Sequence, residues 1–440
     1  MLRKNPVKSG QADMFRERLE AIIDLSHPIS RLCEVVKWEW LASSLSGYYS
    51  EQTGRPGGSI RLMAGLLMLK DLGGESDESL CAKWVENPYW QYFCGEEYFC
   101  HHFPIEPESL VYFRKRIGEA GLEVIFAETI RLGLVSGVVK KKEIETVTVD
   151  TTVQEKAVGF PTDTKLRHTA REALVFLAKE AGIELRQSYG RLSKHAVFMA
   201  NRYGAARQMN RAKKEQRKVK NYLGRVIRNI RRELGKRPEM GGLFAEVLRK
   251  ADIAFAQARD SKEKLYAWHA PEVECIAKGK QAKKYEFGCK VSITSTNKSN
   301  FIVGAKAFHG CPHDGKTLKD ALEQVKKITG ILPREAQVDQ GYKGHGVTET
   351  EVIIARQKRG VTHAIKRRQK RRNAIEPIIG HCKNDRNVGS RNWLKGKEGD
   401  KINAIAMAIG FNLRKILRAI FLYLFYLMHF RKTYPYQAHA

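Results

Sequence analysis

The stretch IETVTVDTTV, residues 144–153, decides how the chain is read. Val147 and Val149 alternate with Thr146 and Thr148, and β-branched residues dominate, so it reads as a strand carrying Asp150. Strand character returns at YEFGCKVSIT (285–294) and FIVGAKAF (301–308), with a hairpin turn expected at 297–300. A helix over about 316–329 follows, then a strand, EAQVDQGY, with Asp339 at its end, where the chain turns at Gly341. Residues 361–365 read as one more short strand. A helix starting near Arg371 contains Glu376, with Pro377 in its first turn or at a kink. A last helix runs over about 401–430.

Between the first strand and the second lies a long helical stretch, about 166–267. Its apolar positions Val219, Tyr222, Leu223, Val226, Ile227, Ile230 and Leu234 fall on one helical face, and Lys and Arg fill the rest. Read as a single helix, 192–234 is about 60 Å long at 1.5 Å per residue. Pro238 and Gly241-Gly242 make a turn, and 243–265 returns antiparallel. Ahead of the first strand the pattern is helical from residue 13. IRLMAGLLMLKDL (60–72) is apolar nearly all round and reads as a buried helix ended by Gly73-Gly74, with Ser76-Asp77-Glu78 capping the next. The aromatics Trp84, Tyr89, Trp90, Tyr92 and Phe93 are either a core plug or a dimerisation or DNA-docking surface.

The expected architecture is therefore α+β and multi-domain: a tail (1–12), an N-terminal all-helical domain (13–140), a mixed sheet domain (141–165 and 280–395) split by a basic helical insert (166–279), a C-terminal helix (396–430) and a tail (431–440). Charge follows the same division. The 440 residues hold 78 Lys and Arg against 48 Asp and Glu, a net of +30. Residues 1–140 carry 16 basic and 19 acidic side chains, net −3, so the remainder carries +33. Residues 201–250 hold 16 basic and 4 acidic side chains, and 356–372 hold 9 basic and none acidic. A near-neutral module joined to a strongly basic one points to a nucleic-acid partner. Eight cysteines do not make a secreted disulfide scaffold. The longest apolar run, AIFLYLFYLM (419–428), is about half of the ~20 residues that span a bilayer, and the first 30 residues lack a signal-peptide core. The expectation is a cytoplasmic, nucleoid-associated protein with no membrane partner. The apolar run reads as a packing or dimer helix.

Phosphodiester chemistry needs a nucleophilic oxygen activated and a leaving oxygen stabilised, and two Mg²⁺ ions about 3.5–4 Å apart do both. Mg²⁺ takes hard oxygen ligands and keeps several waters, so a few carboxylates from rigid, converging elements suffice. Asp150 within one strand, Asp339 ending another and Glu376 on the following helix have that character. Structural carboxylates that cap and turn strand ends have it too, and pattern alone leaves both readings open.

The three motifs IETVTVDTTV, AQVDQGYKG and RRNAIEPIIGHCK, in that order, resemble the DDE transposases of bacterial insertion sequences, most closely the insertion-sequence-five type. In that group the Glu motif runs Tyr, two residues, Arg, three residues, Glu, six residues, Lys. Arg372, Glu376 and Lys383 keep that spacing, and Gln369 stands at the Tyr position, a departure. Similarity extends to FPTDTKL (160–166), the basic insert, HGCPHDGKTL (309–318) and the helical stretch 57–118. The resemblance implies an RNase H-like fold in which Asp150, Asp339 and Glu376 are catalytic metal ligands for two Mg²⁺ ions, with Mn²⁺ as a substitute. It implies cleavage at the element's ends and joining of the 3′-OH ends to target DNA by a homodimer. Arg372 and Lys383 would hold phosphates beside the metals. Arg217, Lys218, Arg225, Arg228 and Arg232 of the insert, with Arg367 and Arg368, are the further candidates for contact with double-stranded DNA. A non-catalytic repressor derived from a transposase and a simple endonuclease with the same core are the alternatives.

Other candidates carry less. His313-Asp314 reads as a metal pair or as a loop histidine beside a helix-capping aspartate. Cys94, Cys100, His101 and His102 have a C-x5-C-H-H spacing that matches no common zinc pattern. Cys289 and Cys382 read as buried thiols, and no P-loop occurs.

Overall fold

A computed structural model describes residues 16–50, 57–258, 260–277, 284–356, 362–384 and 391–433. The terminal segments 1–12 and 434–440, and Val361, lie outside the described residues. The chain forms two compact units, one made of residues up to 155 together with 289 onward, the other of 156–288.

The first unit begins with seven helices: α1 (Leu19–Ile22), α2 (Pro28–Val35), α3 (Trp38–Ser46), α4 (Ile60–Gly73), α5 (Asp77–Glu86), α6 (Pro88–Cys94) and α7 (Glu108–Val135). The apolar α4 is the buried one, with Leu62, Met63, Leu66, Leu67, Met68 and Leu69 all inside. It ends at Gly74 in the left-handed region (φ 66°), and Ser76 opens α5 through a capping box with Ser79. Trp84 and Phe93 are fully buried, so this part of the aromatic cluster is core.

The strand carrying Asp150 is β1 (Thr146–Glu155). The second unit follows, with four helices, α8 (Asp163–Glu180), α9 (Gly190–Ala205), α10 (Met209–Lys236) and α11 (Gly241–Ala256), and the short strand β2 (Glu274–Ala277). The single long helix expected over 192–234 is instead a helical hairpin. Arg207 takes a left-handed conformation (φ 57°), and α9 packs back on α10. The physical reason is burial: Ser193, Ala196 and Ala200 give α9 a small-residue face, and doubling back covers it. The apolar face of α10 (Val219, Leu223, Val226, Ile227, Ile230) is buried as its period required, in a core shared with Leu166, Leu174, Phe244 and Ala254.

The chain then forms β3 (Tyr285–Thr296), β4 (Ile302–Phe308), α12 (Asp314–Thr329), β5 (Glu335–Val338), β6 (Glu351–Ile354), α13 (His363–Arg372), α14 (Ile375–Asn384) and α15 (Gly396–Thr433). The sheet of the first unit is mixed. β3 pairs antiparallel with β4 and borders β1, and β1, β5 and β6 follow as parallel neighbours. Asn297 N–H donates to the Thr146 carbonyl, so the end of β3 lies at the start of β1. The fold class is α+β, with a helical N-terminal region and a mixed sheet.

Two readings of this region need correction. Residues 363–365 are not a strand; they open α13, because the Thr362 side chain accepts from Ile365 N and caps a helix there. No single helix runs from 371 through Glu376 either. α13 stops at Arg372 and α14 begins at Ile375, since the Pro377 ring would meet the carbonyl of Asn373 if the helix continued. Pro377 thus sits in the first turn of α14.

One continuous core joins the N-terminal helices to the sheet. α15 is central to it, packing on α2, α4, α7 and β4. Asn412 of α15 accepts from Ile302 N and donates to Ile302 O, pairing a helix side chain with a strand backbone. Its buried part is Ile402 to Ile416. The apolar run beyond it leaves Phe421, Leu422, Tyr423, Phe425 and Tyr426 exposed. Among the described residues no helix is long and apolar enough to cross a membrane.

Candidate active site

Register brings Asp150 and Asp339 together. β1 and β5 run parallel, with Thr148 opposite Gln337. Two residues further along both strands stand Asp150 and Asp339, on the same face because side chains repeat every two residues. Adjacent strands lie about 4.8 Å apart, so the two carboxylates stand side by side, Asp150 within β1 and Asp339 just past the end of β5. Each spends one oxygen locally. Asp150 Oδ1 accepts from Thr151 N (2.8 Å), and Asp339 Oδ1 accepts from Gly341 N (2.8 Å). The second oxygen of each makes no hydrogen bond among the described residues.

The electrostatics are those of crowded acids. Burial raises the Asp150 carboxyl to about 6, and the charges of Asp339 and Asp314 push the same way. The backbone bond from Thr151 and the Arg372 guanidinium pull against that rise. Below them Tyr342 is fully buried, and burial with the three aspartates drives its phenol well above the ordinary range.

Asp314 is the third acid at this strand end, and the sequence reading undervalued it. It is the first residue of α12, whose cap is His313: the imidazole Nδ1, not the aspartate, accepts from Gly315 N. That leaves Asp314 Oδ1 to accept from Thr151 Oγ1 (2.8 Å) and from Lys290 Nζ (2.9 Å). Lys290, on β3, also donates to the Pro312 carbonyl (2.6 Å). A lysine placed mid-strand among apolar neighbours was the available signal, because such a cation needs a partner.

Glu376 is placed differently. It lies exposed in the first turn of α14, which packs on β1 and α15 through buried Ile375, Ile378 and Cys382. Among the described residues no three His, Cys, Asp or Glu side chains are grouped tightly enough to hold a metal ion. Arg372 is half-buried at the end of α13, within electrostatic reach of Asp150. Lys383 is half-buried in the last turn of α14.

The basic residues divide. Arg368 pairs with Glu335 (2.8 Å), Arg371 donates to the carbonyls of Asn297 and Lys298, and Gln369 donates to the Ile354 carbonyl. These three bind α13 to the sheet, while Arg367 is exposed. In the second unit Arg217, Lys218, Arg225, Arg228 and Arg232 are all exposed along α10. Lys218 pairs with Glu215 (2.7 Å), and Arg225 lies over the Tyr189 ring. The cysteine-histidine candidates are scattered: Cys94 is buried, Cys100 lies beside Glu96, and His101 and His102 are exposed. Cys289 and Cys382 are buried thiols.

Residues 17–116, the helices α1 to α6 and the start of α7, match the model of a family described as Transposase domain (DUF772). A Rhizobium meliloti protein, "Uncharacterized protein ORF8 in nfe locus", is 45% identical over 207 residues, 47% of this chain and the whole of that protein. The chain belongs to that protein's family. Together the matches indicate a transposition-related function, a DNA-processing enzyme in general terms and an interaction with DNA. No solved structure matches.

Proposed function

We propose that this chain is a DDE-type DNA transposase of the insertion-sequence-five type, with an RNase H-like core that uses Asp150, Asp339 and Glu376 as metal ligands. The observation that carries the reading is the pair Asp150, within β1, and Asp339, just past the end of its parallel neighbour β5, each with one oxygen unspent. Hard carboxylate oxygens at a strand end suit Mg²⁺ or Mn²⁺. When bound, two such ions activate the attacking oxygen and stabilise the leaving one. Asp150 and Asp339 hold their oxygens fixed through the backbone bonds at Thr151 and Gly341. Glu376 completes the set from the exposed first turn of α14. Arg372 and Lys383 hold phosphates at the same strand end, and Arg372 also offsets the charge that gathers on Asp150.

In this reading residues 141–165 and 280–395 form the catalytic domain, 166–279 the insert and 13–140 the N-terminal domain. Exposed Arg217, Lys218, Arg225, Arg228, Arg232 and Arg367 bind DNA phosphates, so affinity falls steeply with salt and varies little with sequence. Arg368 supports α13 through Glu335. The enzyme acts as a homodimer on the nucleoid, because two element ends must be paired before strand joining.

The test uses supercoiled plasmid carrying the DNA that flanks the gene, with Mg²⁺, Mn²⁺ or EDTA, and wild type beside Glu376→Gln. Metal-dependent cleavage at the boundaries followed by joined products, lost in the variant while DNA binding persists, is expected. Hydrolysis without joining makes the chain an endonuclease. Binding without cleavage under any metal makes it a non-catalytic DNA-binding protein, and the three carboxylates relics.

A further inference from the structure

Asp314 touches the surroundings of both proposed ligands without needing to be one. On one side its Oδ1 accepts from the Thr151 hydroxyl, and Thr151 supplies the backbone N–H that fixes Asp150. On the other side its Oδ2 lies against Gly341: a Cβ at that residue would stand 2.9 Å from Asp314 Oδ2 and 3.0 Å from Asp339 Oδ1. Gly341 supplies the N–H that fixes Asp339. The carboxylate of Asp314 thus lies against Thr151 and Gly341, the two residues whose backbone amides aim Asp150 and Asp339. Its charge is matched by Lys290, which donates to Asp314 Oδ1 and to Pro312 O and so ties the start of α12 to β3. Without that cation, a third carboxylate beside two others would be repelled from the strand end. The fully buried Tyr342 phenol lies within electrostatic reach of all three acids.

We propose that Asp314 is a positioning residue: held by Lys290, it sets the spacing and aim of Asp150 and Asp339 through Thr151 and Gly341. It acts on the metal ligands and does not itself bind the ion. Groups that orient metal ligands typically change metal affinity by about 10–100-fold when removed. The inference rests on the carboxylate reading above, and its test is binding, not turnover.

The full-length protein is titrated with Mn²⁺ and the free ion is followed by its electron paramagnetic resonance signal. Wild type is compared with Asp314→Ala, Thr151→Val, Thr151→Ser and the Asp314→Ala/Thr151→Val double variant. Asp314→Ala and Thr151→Val are expected to weaken Mn²⁺ binding by about 10–100-fold. Thr151→Ser, which keeps the hydroxyl, should stay within about threefold of wild type. The double variant should be no weaker than the worse single, because both cut one chain of contacts. If Asp314→Ala fails to fold by circular dichroism, the Thr151 pair carries the test alone. Mn²⁺ uptake by wild type that is indifferent to Thr151→Val, or losses that simply add, overturns the positioning role and leaves the metal site standing. No uptake by wild type overturns both.

Discussion

Asp150 and Asp339 grow from paired strands, whereas Glu376 rides in the first turn of a ten-residue helix. The ladder between β1 and β5 fixes the first two in register to the residue, and local backbone bonds fix their oxygens. Glu376 has neither device. Its helix is held from beneath by Ile375, Ile378 and Cys382, and its own side chain faces solvent. The contrast teaches that strand pairing presets two carboxylates before any ligand arrives. In the proposed site the helix-borne third would be drawn in by what binds. If the proposed metal site is right, affinity would be set by the pair and chemistry would wait for the third group.

The largest expected effects test that division. Asp339→Asn should abolish both cleavage and Mn²⁺ uptake. Glu376→Gln should abolish cleavage as completely yet weaken Mn²⁺ binding by less than about tenfold, a smaller loss than for a preset ligand. Titration and plasmid cleavage on the same preparations decide it; equal loss of Mn²⁺ uptake in both variants would break the comparison. Next in size is Gly341→Ala. A methyl group there meets Asp314 Oδ2 and Asp339 Oδ1 at about 3 Å, so Asp314 and Asp339 must move apart. Cleavage should fall about tenfold, with Mn²⁺ affinity falling alongside it. Unchanged affinity would show that Asp339 tolerates a displaced Asp314.

The same contrast explains what could be read from the sequence. Strand alternation around Val147 and Val149, and the EAQVD run, made both aspartates legible, because period two is a local signal. The basic face of α10 was legible because helical spacing is also a local signal. Its break at Arg207 was not, since nothing in the Ala205-Ala206-Arg207-Gln208 run marks a turn, and the gain came from tertiary burial. The sequence left Asp314 between a metal pair with His313 and a helix cap, a role that an aspartate ahead of a helix commonly takes. His313 took that role, and the partners Thr151 and Lys290 lie 163 and 24 positions away. Contacts at that separation leave no trace in a local pattern. The cost of Pro377 to a continuous helix was visible; whether it kinked or divided the helix was decided by packing on β1 and α15.

The smallest effect concerns the basic run of α13, where neighbouring arginines have different tasks. Arg368 is paired with Glu335, a residue only 7% exposed, and Arg367 faces solvent. Arg368→Ala leaves a nearly buried carboxylate without its cation. Because Arg368 is itself partly exposed, the cost should be about 1–2 kcal/mol, read as a lower urea midpoint. Arg367→Ala should change stability by less than about 0.5 kcal/mol. It should instead lower the slope of log affinity for DNA against log salt by about 1, the signature of one lost phosphate contact. If Arg368→Ala changed the salt slope and left the urea midpoint alone, both arginines would belong to the DNA surface. The anchoring of α13, which carries Arg372 toward Asp150, would then rest on Arg371, Gln369 and the Asn297 amide that donates to the Arg368 carbonyl.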